Sequence, residues 1–134
     1  MQKTIITLLC VLSFNLIKAQ ATQYNGNWVL CKIVTAAGDT QLVAAIDARY
    51  ITYNFTYNNT FTSFRKEQNE EVSGVWSFEF KTKTIKIRNA LLTKTRTKLE
   101  NYNLVINRVA GSFFVEQREE KKKVFTYYIY CRVK

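Results

Sequence analysis

The sequence predicts an all-β domain: an eight-stranded antiparallel up-and-down (meander) barrel with a short helix or lid in its first connection. Two observations carry the prediction. Strand-like runs with alternating apolar and polar residues recur about every ten to twelve residues, the spacing of a barrel or sandwich. Tight turns join nearly all of them, and a single long apolar link breaks the pattern.

The first element stands outside the domain. Lys3 followed by the apolar run Ile5 to Phe14 and the small residue Ala19 reads as an export signal, too short for a membrane span. Cleavage is expected after Ala19, with Ala21 as the other candidate, leaving 20–134 as one domain. Cys10 follows Leu9 rather than a small residue, which argues against a lipoprotein anchor. The protein is therefore expected in the periplasm or outside the cell. Residues 1–19 hold Lys3 and Lys18 and no acid, so the mature chain has eighteen basic residues, ten acids and a net charge of +8.

The strands follow in order. "NWVLCKIV" is the first. "RYITYNFTY" is the second, with Ile51, Tyr53, Phe55 and Tyr57 on one face. "NNT" then turns the chain into "FTSFRKE", asparagine tolerating a positive φ. "VSGVWSFEF" places Val72, Gly74, Trp76, Phe78 and Phe80 on one face. "IKIRNALL", "YNLVINRV", "SFFVEQRE" and "VFTYYIYCRVK" complete the set. The exception is residues 36–48, where Asp39 and Thr40 could cap a helix from about Gln41 to Ala48. Such a segment would be a lid over a binding site or a plug in one end of the barrel.

Two cysteines remain after processing, Cys31 and Cys131, in the first and last strands. An isolated pair in an exported chain reads as a disulfide, two buried free thiols being the alternative. If the barrel closes, the first strand lies beside the last and a bridge would lock the seam. Trp28, where the first strand starts, is placed to plug the closed end.

At this point the chain resembles the lipocalin-like proteins. Gly26-Asn27-Trp28 matches the Gly-x-Trp that opens that family's first strand. A long first connection followed by seven strands with tight hairpins matches its layout, and "SGVWSFEFKTKTIKI" is similar to a hairpin of short bacterial lipocalin-like domains. The resemblance implies that Arg132, near the end, packs across Trp28. It also implies a binding protein for a small hydrophobic or amphipathic ligand.

Catalysis finds little support in the residues. Histidine is absent, which removes the commonest general base and metal ligand. Two thiols alone fall short of a metal site, Walker and dinucleotide glycine patterns are missing, and Glu70 and Glu71 read as a solvated turn. No enzyme, metal or cofactor is expected. Candidate ligand contacts in the barrel interior are Tyr53, Phe55, Trp76, Phe78, Leu104 and Tyr127, core packing being the plainer role for each. Ile87, Ile106, Phe113 and Ile129 are expected to face inward with them.

Lys86, Arg88, Lys94, Arg96 and Lys98 fall in a stretch without acids. They form either a solvated basic face or a stripe for an anionic lipid surface or lipopolysaccharide, with nucleic acid the weaker partner. Tyr128 and Tyr130, expected outside, raise the alternative of an interaction protein. A membrane-embedded barrel is disfavoured by Lys86, Arg88, Glu116 and Arg118, all expected on the outer face.

Overall fold

The computed structural model describes residues 21–134, so the expected export signal lies outside the described residues. Nine strands form among the described residues: β1 (Gly26–Val34), β2 (Thr40–Leu42), β3 (Ile51–Phe55), β4 (Thr60–Arg65), β5 (Glu70–Glu79), β6 (Thr84–Leu92), β7 (Tyr102–Val109), β8 (Phe113–Lys121) and β9 (Val124–Arg132). From β3 onward each strand pairs antiparallel with the next, and β1 pairs with both β3 and β9. Eight strands therefore close a meander barrel, as the alternation predicts. The ninth, β2, is an addition.

That addition replaces the expected helix. No helix forms between residues 35 and 50. β3 reaches only as far as Val29 on β1, while β9 covers the opposite flank from Trp28 to Val34. The flank beyond Val29 would be left unpaired, and β2 fills it by matching Thr40–Leu42 to Lys32–Val34. Completing a ladder satisfies backbone groups that a helix in the same link would leave open. Val43 anchors the link in the core, whereas Leu42 and Ile46 stand exposed.

The two ends of the barrel differ. At the closed end Trp28 is fully buried and its indole N–H donates to the Tyr24 carbonyl at 2.8 Å. The Arg132 guanidinium lies 4.2 Å from the Trp28 ring centroid, the contact that the family resemblance implies. Arg132 also donates to the carbonyls of Asn25 (2.6 Å), Gln23 (2.8 Å) and Gly111 (2.8 Å). Gly26 makes that approach possible. Its φ of +121° suits glycine, and a Cβ there would sit 2.7 Å from Arg132 Nη1.

Above this plug the lower barrel is filled. Trp28, Phe55, Phe61, Trp76, Phe114, Tyr53 and Tyr130 are all buried. Phe114 meets Trp28 edge-on at 4.9 Å and stacks on Tyr130 at 4.9 Å, while Phe55 meets Trp76 edge-on at 5.1 Å. A β6 bulge opposite Gly74 helps the wall curve. Asn89 takes a φ of +53°, and a Cβ on Gly74 would come within 2.9 Å of the Arg88 carbonyl.

Cys31 and Cys131 form a disulfide with a Cα–Cα distance of 6.0 Å. Register along β1–β9 shifts between Leu30 and Lys32, so Cys31 is the extra residue of a bulge and the bridge spans the seam.

The β8 and β9 faces correct the sequence reading. Phe114, Glu116, Thr126 and Tyr130 are buried, and Arg118 and Tyr128 share their inward faces. Phe113, Tyr127 and Ile129 point the other way, against expectation. Both strands carry large apolar residues on each face, so alternation alone does not say which face is inside. Tyr57 (85% exposed) and Phe80 (55% exposed) lie beyond the strands expected to hold them. Glu116 and Arg118 therefore give no argument against a membrane-embedded barrel, whereas Lys86 and Arg88 remain on the outer wall. No helix among the described residues is long and apolar enough to cross a membrane.

Replacing Cys31 and Cys131 by alanine removes the constraint on a loop of 100 residues. The double variant is expected to unfold at lower urea concentration, by up to about 4.7 kcal/mol. An unchanged midpoint would show that the seam holds without the bridge. Gly26→Ala is expected to cost more than about 1 kcal/mol, because it combines an unfavourable φ with displacement of Arg132.

Candidate functional site

The open end of the barrel is framed by the starts of β3, β7 and β9 and the ends of β4, β6 and β8. A cleft of about 480 Å³ opens there, walled by Tyr50, Ile51 and Tyr53, by Arg65 and Lys66, by Tyr102 and Leu104, and by Glu116 and Arg118. Four cations and three carboxylates line it (Arg49, Arg65, Lys66 and Arg118; Glu67, Glu116 and Glu119), so its wall is mixed in character and slightly basic.

A ring of hydrogen bonds forms the floor. Arg118 Nη2 donates to the Tyr130 oxygen at 3.2 Å, Tyr130 donates to Tyr53 at 3.2 Å, and Tyr53 donates to Glu116 Oε1 at 3.2 Å. Arg118 Nε closes the loop on Glu116 Oε2 and stacks 3.9 Å from the Tyr128 ring centroid. Glu116 is 3% exposed, and a buried carboxylate needs such partners. Burial, with Glu116 beside them, pushes the Tyr53 and Tyr130 phenols well above the ordinary 10.0.

Three of the four cations are engaged. Arg49 forks onto Asp47, at 2.6 Å and 3.0 Å. Lys66 Nζ donates to the Ala45 carbonyl at 2.7 Å, and Arg118 holds Glu116. Arg65 stacks 5.6 Å from the Tyr102 ring centroid and is in no ion pair among the described residues, although Glu70 faces it across the β4–β5 ladder. The Tyr102 hydroxyl and Ser63 Oγ are buried without a hydrogen-bond partner. Burial raises the Tyr102 pKa from 10.0, partly offset by Arg65.

The residues singled out from sequence divide into groups. Tyr53 and Leu104 line the cleft. Phe55 and Trp76 lie in the core beneath it, Trp76 donating its indole N–H to the Thr56 carbonyl at 3.1 Å. Phe78 is half-buried against Tyr24 in a smaller groove of about 350 Å³ at the closed end. Tyr127 lines a shallow outer groove with Val34, Thr35 and Lys123. The basic set is divided as well. Lys86 pairs with Glu79 (2.5 Å) and Arg88 with Asn103 (3.1 Å) on the outer wall, while Lys94, Arg96 and Lys98 sit exposed in the β6–β7 link.

Sequence reasoning missed Arg65, Tyr102, Glu116 and Arg118. Charges two apart in "EQR" and tyrosines two apart in "YIY" were the available signal, but only the inward face gives it meaning.

Arg118→Met is expected to cost about 2–3 kcal/mol, less than a fully buried pair would because Arg118 is 38% exposed. Adding Glu116→Gln should recover part of that loss. Additive costs would mean that the two side chains are not coupled.

Burial pushes Tyr24 up to about 12 from 10.0, in the same direction as Tyr53 and Tyr130. Since the folded-state values lie above the unfolded one, their stabilisation is complete below pH 10 and is lost as pH rises through them. Alkaline unfolding should therefore coincide with the last phase of phenolate absorbance. A titration finished below about pH 11 with the sheet intact would contradict this packing.

No protein-family model matches the chain, and no curated protein matches it. Among solved structures it is similar to a lipocalin-like protein from Bacteroides uniformis, with a TM-score of 0.55 and 16% identity over 83% of this chain and 99% of that one. Closed meander and structural likeness agree: this chain has the same barrel fold as that lipocalin-like protein.

Proposed function

We propose that the mature protein is an exported, non-enzymatic carrier that binds one small amphipathic molecule in the open-end cleft. The observation that carries this reading is the division of the barrel: aromatic rings fill its lower half, and a cleft of about 480 Å³ opens above them. That volume is in the range of small-molecule sites, and its wall mixes apolar surface with a few convergent polar groups. The Cys31–Cys131 disulfide is compatible with an oxidising compartment. Catalysis is not part of the proposal, since the polar groups on the floor, the Tyr53–Glu116 pair included, satisfy one another.

The alternative of an outer aromatic or basic face for a protein partner or anionic lipid is weaker than the sequence implied. Tyr130 is buried, Tyr128 faces inward beneath Arg118, and the basic set is dispersed.

Native mass spectrometry of the unreduced mature protein tests the carrier reading. A co-purified adduct that is lost on denaturation is expected. Leu104→Trp, which projects a larger ring into the cleft, should reduce adduct occupancy at least tenfold without loss of folding. A bare chain mass, together with no retention of any small apolar or amphipathic compound, would overturn the reading.

A further inference from the structure

Within that carrier reading, we propose that the cleft is built for a compact organic acid, its carboxylate held by Arg65 and the Tyr102 hydroxyl and its apolar body lying along Leu104 and Ile51.

Three observations converge on this spot. Arg65 lies against Tyr102 and is the cleft cation in no ion pair among the described residues, whereas Arg49, Lys66 and Arg118 are held by Asp47, the Ala45 carbonyl and Glu116. A half-buried guanidinium with no ion pair leaves its fork of N–H donors available for two carboxylate oxygens. Second, the Tyr102 hydroxyl beside it is buried with no acceptor for its proton among the described residues, since Arg65 can only donate to it, a cost that a native protein normally avoids. A carboxylate between the two groups would accept from both. Third, Ser63 lies two residues from Arg65 on the same inward face of β4, is 1% exposed, and has no partner for Oγ. Together they line one wall at the open end, whereas the other buried side-chain atom without a partner among the described residues, Asn25 Oδ1, lies at the closed end.

The neighbouring acids do not take the place of a ligand. Glu116 is held by Arg118, Tyr53 and the ring of hydrogen bonds. Glu67 and Glu119 stand exposed at the rim. Glu70 faces Arg65 across the ladder yet forms no ion pair with it among the described residues. The filled core beneath Tyr53 and Tyr130 limits depth, which selects a medium-chain or shorter acid over a long acyl chain.

The test compares decanoate with decanol, equal in chain length and different in head charge, by calorimetry on the disulfide-intact mature protein. Wild type is expected to bind decanoate at least tenfold more tightly than decanol. Arg65→Gln should abolish that preference while leaving decanol binding unchanged. Tyr102→Phe should reduce the preference severalfold, and Arg65→Lys should restore part of it. Lys66→Gln, altering the cation already held by Ala45, should leave the preference intact.

If wild type binds both probes equally, the carboxylate site is overturned and the carrier reading stands. If neither probe binds while native mass spectrometry shows another adduct, the acid proposal alone is overturned. If nothing binds and no adduct appears, both readings are overturned. Should Arg65→Gln fail to fold, the wild-type preference and its reduction in Tyr102→Phe decide the matter.

Discussion

The pairing of β1 with β9 is the constraint on which the rest of the molecule depends. A meander of antiparallel strands has two edges, and only their mutual pairing removes them. Three devices hold this seam at different heights. Arg132 stacks on Trp28 and ties the chain before β1 through the carbonyls of Gln23 and Asn25. The bulge at Cys31 re-aims β1, and the disulfide joins the two strands. Beside the bridge, Leu30 and Tyr130 face each other across the ladder and carry the core to the floor of the cleft. Without closure the aromatic interior would have no second wall, and the cleft would have no floor.

The polar ring of Tyr53, Tyr130, Glu116 and Arg118 marks the boundary between two kinds of interior. Below it, rings meet at centroid distances of about 5 Å, as between Phe55 and Trp76, and leave no room for a ligand. Above it, half-buried charges and phenols surround solvent-accessible space. A buried carboxylate is costly unless paired and hydrogen-bonded, and Glu116 is tolerated because three side-chain groups serve it. The ring also fixes the Tyr130 rotamer, so the seam that closes the barrel and the floor that bounds the cleft share one residue.

Much of the scaffold was legible in the residues. Alternation with turn signals at regular spacing marked an all-β barrel or sandwich, and the paired terminal cysteines with the Gly-x-Trp start favoured the closed barrel. Gly26 and Trp28 marked the closed end, and two cysteines in the terminal strands marked the seam. The first connection was misread as a helix because Asp39 and Thr40 resemble a cap, while nothing local shows that the flank of β1 beyond Val29 lacks a partner.

The site was far less legible. Tyr53 and Leu104 could be named because their strands have one plainly apolar face. β8 and β9 offer two plausible faces, so Tyr127 was taken for the residue that Tyr130 is, and Glu116 and Arg118 were placed outside. Arg65 and Tyr102 lie at strand ends, where alternation has run out. By itself the sequence determined the eight barrel strands, their order and the closed-end plug, since these follow from local periodicity and a few strongly constrained residues, but not the added β2. Which face of β8 and β9 turns inward, and which cation is left without an ion pair, was decided only by tertiary structure. Both depend on contacts between strands far apart in the chain, which no local pattern encodes.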